Sequence, residues 1–156
     1  MRLLTCEFES QYYLGVDLGE RIFLPMRHPA WDNEIDSMLA LIDAGQQALA
    51  QLGEISSSPQ ADTLVTKSQV RLCAPIIRPR QNVICLGLNY KDHVSETLAA
   101  KNEEVKLPRS PVVFTKAANS VNGPYGDIEI DTGVSSKMDW EVELAVRAEA
   151  MRQFGE

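Results

Sequence analysis

Between Met138 and Val146 the chain alternates strictly. Met138, Trp140, Val142, Leu144 and Val146 fall on one side of an extended backbone, and Asp139, Glu141, Glu143 and Ala145 on the other. A period of two belongs to a β-strand; a helix of 3.6 residues per turn would scatter the same apolar set around its circumference. This stretch commits the second half of the chain to a sheet, and its apolar flanks predict a buried strand. The first half carries the same signal. Leu4, Cys6 and Phe8 alternate with Thr5, Glu7 and Glu9, and a second strand is expected near Tyr12–Val16. The turn Asp17-Leu18-Gly19-Glu20 then feeds Arg21–Leu24.

One helix interrupts the strands. Ile35, Met38, Leu39 and Ile42 fit the i, i+3, i+4, i+7 template, and Leu49 and Leu52 extend the stripe. Asp32 or Asn33 is the expected cap, Gly45 a weak point and Gly53 the expected end. Ala74-Pro75 and Arg78-Pro79-Arg80 then impose an extended connector. Charge shifts across it: residues 1–75 carry 5 basic and 10 acidic residues, residues 76–156 carry 10 and 12. The reading is an N-terminal α+β domain over 1–75 and a second domain over 76–156. The second domain opens with the apolar strand Asn82–Leu86, followed by a helix over about 91–100. Strands at Val112–Lys116 and Ile128–Ile130 precede the alternating stretch. The whole is a mixed, β-rich α/β chain.

Composition narrows the function classes. Apolar residues make up 44% and charged residues 24%, enough for a packed core. No apolar run approaches the roughly 18–20 residues of a membrane span, and the N-terminus turns acidic at Glu7, too early for a secretory leader. Three cysteines without a CxxC spacing do not make a disulfide framework or a zinc ribbon. The expected compartment is the reducing cytoplasm. A net charge of −7 argues against nucleic acid as the main partner.

Few residues can carry chemistry. Glu141 and Glu143, at i and i+2 of a strand, have α-carbons about 6.5–7 Å apart. Two carboxylates so placed suit a hard divalent cation, or they form a solvated acidic face. His93 and Glu96, at i and i+3 of a helix, share a face. They make either a water-activating pair or an ordinary surface. Lys116 ends an apolar strand, where it can meet a substrate carboxylate or simply reach solvent. Cys85 lacks a basic neighbour in sequence and reads as core, and His28 as surface.

Three segments, taken in order, resemble the fumarylacetoacetate hydrolase family. They are Asn82-Val83-Ile84-Cys85-Leu86-Gly87-Leu88-Asn89-Tyr90-Lys91-Asp92-His93-Val94-Ser95-Glu96, then Pro111-Val112-Val113-Phe114-Thr115-Lys116, then Met138-Asp139-Trp140-Glu141-Val142-Glu143-Leu144-Ala145-Val146. The first holds the family's Gly-x-Asn-Tyr-x-x-His-x-x-Glu signature and the last its Glu-x-Glu-Leu strand. The resemblance implies part of a mixed β-roll catalytic domain, truncated here, behind a variable N-terminal domain. It implies a divalent metal, Mg²⁺ first with Mn²⁺ or Ca²⁺ as alternatives, held by Glu141 and Glu143. It further implies His93 with Glu96 as the water-activating pair and Lys116 at the active site. The substrate class is small 2-oxo acids, with C–C hydrolysis of an acylpyruvate or β-diketo acid, or a related decarboxylation or isomerisation. The assembly would be a homodimer. Two features depart from the pattern. Ala117 stands where proline often follows the lysine, and the third carboxylate ligand would fall beyond Glu156. An inactive module serving folding or dimerisation is the alternative.

Overall fold

The computed structural model describes residues 1–87, 110–141 and 143–146. By its internal contacts the chain forms two units, Met1–Gly126 and Asp127–Glu156.

In the first unit, β1 (Leu3–Phe8) and β2 (Gln11–Asp17) form an antiparallel hairpin, with Leu3 opposite Val16 and Phe8 opposite Gln11. Its two-residue turn places Glu9 at φ 50° and Ser10 at φ 63°. Two left-handed residues match the right-handed twist of the flanking strands, although neither residue is glycine. β3 (Arg21–Phe23) pairs with β2 after a turn in which Asp17 Oδ1 accepts from the Gly19 amide at 2.9 Å. Gly19 has φ 95°, a conformation that favours glycine. β4 (Leu64–Thr66) and β5 (Arg71–Cys73) complete a five-stranded sheet in the order β4-β3-β2-β1-β5.

Both faces of this sheet are buried. Leu14, Val16 and Phe23 pack against Trp31, Leu41, Ala48 and Leu52 on the helical side. Cys6, Ile22, Leu24 and Val65 form the opposite cluster with Leu4, Phe8 and Leu72 around them. Gly15 sits where these layers are tightest: a Cβ there would lie 2.8 Å from Ile22 Cγ2 and 2.9 Å from Leu4 Cδ1. Burial, then the nearby Cys73, pushes the Cys6 thiol up to about 11, so it remains protonated core rather than a nucleophile.

The helix differs from its sequence-based bounds. α1 runs Met38–Ser57 and is capped by Ser37, whose hydroxyl accepts from the Ala40 amide at 3.3 Å. Asp32 instead builds a preceding turn, accepting from Glu34 N at 2.9 Å. Gly53 does not end the helix. Ser56 is buried and Ile55 packs on the core, so the extra turn is held by tertiary contact. Gly45 breaks the middle, with φ 75° and ψ −158°.

The connector after β5 is anchored twice. Thr5 Oγ1 donates to Pro75 O at 2.7 Å, and Arg80 grips Asp43 with two guanidinium contacts, one at 3.0 Å. Beyond it, β6 (Val83–Gly87) and β7 (Val112–Lys116) form an antiparallel ribbon. The helix expected over about 91–100 lies outside the described residues.

The second unit departs most from expectation. Neither Ile128–Ile130 nor the described part of Met138–Val146 forms a strand. Among its described residues the chain turns on Asp131, whose carbonyl accepts from Val134 N and Ser135 N, each at 3.0 Å. The burial predicted for the alternating stretch is absent as well: Trp140 is 84% exposed and Leu144 83%. A strand exists by its ladder partners, and among the described residues nothing pairs with this one.

Candidate functional site

The ribbon positions Lys116. In its register Val83 faces Lys116, Cys85 faces Phe114 and Gly87 faces Val112. Side chains at i and i+2 of a strand share a face, so Lys116, Phe114 and Val112 lie on the face of Val83, Cys85 and Gly87. Lys116 Nζ lies 5.9 Å from the centre of the Phe114 ring, a loose cation–π approach. Cys85 is buried within this face, in agreement with its reading as core.

Just past β7 the chain turns through a 3₁₀ segment, Ala118–Ser120. Asn82 Oδ1 accepts from Ala118 N at 3.2 Å, and Ala117 O accepts from Ser120 N at 2.9 Å and from Ser120 Oγ at 2.7 Å. From sequence, Asn82 read only as the start of a strand. An asparagine flanking an apolar strand was the available signal, since its side chain can bond neighbouring backbone.

Glu141 and Glu143 lie in the second unit, both exposed, in a stretch without regular secondary structure. As donors, two carboxylates two residues apart fit a hard divalent cation. Among the described residues no three His, Cys, Asp or Glu side chains converge on a metal position. His93 and Glu96 lie outside the described residues. The structure thus places Lys116 on the ribbon and Glu141 and Glu143 on their own unit.

A separate cleft of about 360 Å³ opens between the N-terminal sheet, the start of α1 and the connector. Tyr12, Tyr13, Met38, Ile76 and Arg78 line it, and neither Lys116 nor the two glutamates do. No helix among the described residues is long and apolar enough to cross a membrane.

Comparison with known proteins singles out the same region. The family model described as fumarylacetoacetate (FAA) hydrolase C-terminal matches residues 82–150, starting at the residue that opens the ribbon. The chain is 38% identical over 158 aligned residues to oxaloacetate tautomerase YisK of Bacillus subtilis, covering 94% of this chain and 51% of that protein. It is 36% identical over 110 residues to the mitochondrial oxaloacetate tautomerase Fahd2a of Rattus norvegicus, covering 70% of this chain and 32% of that one. Among solved structures, fumarylacetoacetate hydrolase from the psychrophilic Exiguobacterium antarcticum aligns with a TM-score of 0.55 at 27% identity. That alignment covers 86% of this chain and 42% of the other. The chain therefore spans about half the length of its bacterial relative and a third of its rat relative. The match over residues 82–150, with relatives that extend across the N-terminal sheet as well, makes this chain a member of the fumarylacetoacetate hydrolase family.

Proposed function

We propose that the chain belongs to a divalent-metal-dependent enzyme acting on small 2-oxo acids, with keto–enol tautomerisation of oxaloacetate as its reaction. The observation that carries this reading is the 38% identity to an oxaloacetate tautomerase across 94% of the chain. Residues 1–75 serve as the N-terminal domain and residues 76–156 begin the catalytic one.

Tautomerisation needs a proton removed from the carbon beside the ketone and a proton returned to the enol oxygen, or the reverse. His93, working with Glu96, takes the proton from that carbon in the enolising direction and delivers one to it in the reverse direction, while the enol oxygen exchanges its proton with solvent. Lys116 supplies a cation for a substrate carboxylate, from a strand face it shares with Phe114. Glu141 and Glu143 are the residues that would hold the metal. When bound, Mg²⁺ (or Mn²⁺ or Ca²⁺) supplies Lewis-acid polarisation of the 2-oxo group. None of these roles requires a thiol, consistent with the buried Cys6 and Cys85.

Hydrolysis of an acylpyruvate is the second reading, favoured by the alignment with a fumarylacetoacetate hydrolase at 27% identity. The same base would then act on water. One pair of assays separates them. With Mg²⁺, enol oxaloacetate should lose its ultraviolet absorbance faster than in buffer, and chelation should abolish the gain. An acylpyruvate should be left intact. Cleavage of the acylpyruvate with no effect on oxaloacetate would reverse the assignment, and neither activity would defeat both.

A further inference from the structure

We infer that Asn82 is a positioning residue for Lys116, resting on the catalytic reading of Lys116 given above. The ladder between β6 and β7 ends at the pair Val83 and Lys116. Continued by one step, the antiparallel register would set Asn82 against Ala117. The ladder does not take that step, and the Ala117 carbonyl accepts instead from the Ser120 amide and hydroxyl. The Asn82 side chain replaces it, accepting from Ala118 N at 3.2 Å. Lys116 is thus the last residue of its strand, held on one side by Val83 and followed at once by a turn that Asn82 ties to the opposite strand.

The geometry matters because Lys116 has a long, exposed side chain at a strand end, where fraying is easiest. Its ammonium can meet a substrate carboxylate reproducibly only if the backbone that carries it is fixed. The bond to Ala118 ties the strand end to the opposite strand just beyond Lys116. An alanine at 82 would remove the acceptor; an aspartate keeps an acceptor oxygen at nearly the same place.

The test compares wild type with Asn82→Ala, Asn82→Asp and Lys116→Ala, using amide hydrogen exchange and steady-state oxaloacetate tautomerisation. For Asn82→Ala the Ala118 amide should exchange roughly 5- to 10-fold faster. In the same variant kcat should fall by roughly 10- to 100-fold with KM little changed, since misplacing one group acts on the reacting geometry. Asn82→Asp should restore both, and melting temperatures should agree across the set. Unchanged exchange at Ala118 would overturn the clamp. Faster exchange with undiminished kcat, in a protein that Lys116→Ala inactivates, would overturn the positioning role. Full activity in Lys116→Ala would remove the residue to be positioned, and the inference with it. If the wild type shows no turnover, the proposed function fails, while the exchange measurement still decides the clamp.

Discussion

The N-terminal sheet and the stretch from Asp127 to Val146 carry the same sequence signal and meet different fates. Leu4, Cys6 and Phe8 alternate as regularly as Met138, Trp140 and Leu144. Cys6 is fully buried between two strands that pair with its own, whereas Trp140 is 84% exposed and unpaired among the described residues. The ribbon is intermediate: it is paired along one edge, yet Ile84 is 71% exposed and Val113 59%. Alternation therefore encodes the capacity to be a strand. Partners that satisfy the ladder and cover the face decide whether the strand forms.

The largest effect that would break this comparison is truncation of a core side chain. Phe23→Ala should cost about 3–5 kcal/mol, because Phe23 is fully buried against the helix. Trp140→Ala, equally drastic in chemistry, should change stability by less than about 0.5 kcal/mol. Urea unfolding of the two variants reads both numbers, and equal losses would deny the contrast. Next, Gly15→Ala should cost about 1–3 kcal/mol, since its Cβ would meet Ile22 and Leu4 below 3 Å.

The uncovered faces give the third prediction. Ile84, Val113 and Trp140 offer apolar surface that a second copy could cover. Sedimentation at micromolar concentration should show self-association, and Ile84→Thr with Val113→Thr should reduce it without lowering the melting temperature. A monomeric wild type would contradict this.

The smallest effect concerns pH. The Gly19 amide and then the Lys67 ammonium hold the Asp17 carboxyl below its ordinary value. The folded state thus binds the proton more weakly than the unfolded chain. Its contribution is complete above the unfolded value of about 4 and drains away as pH falls through the depressed one. Stability measured from pH 7 to pH 2 should show a steeper acid limb in wild type than in Asp17→Asn.

Much of this was legible in the residues. The meander, the Asp17–Glu20 turn, the weak point at Gly45 and the ribbon strands follow from period, turn chemistry and glycine. The helix bounds were not. Ser37 and Asp32 are both good caps, and only the packing of Met38 and Ile55 on the sheet chooses between them. The second unit was misread because periodicity says nothing about partners. For the site, the family resemblance names Lys116, Glu141, Glu143, His93 and Glu96; of these the described residues include the first three, on two different units. The Asn82 bond to Ala118 was not legible, because it joins residues 36 apart through a side chain.

The proposed function assigns metal-assisted chemistry on a 2-oxo acid to residues 82–146. Its most direct measurement is the rate of oxaloacetate enol decay with Mg²⁺, comparing wild type with Glu141→Gln plus Glu143→Gln and with His93→Ala. Wild type should accelerate the decay in a chelator-sensitive way. The double glutamine variant should lose the metal dependence, and His93→Ala should lose roughly 10²–10⁴-fold in kcat. A wild-type rate equal to buffer, or variants as fast as wild type, would contradict the claim.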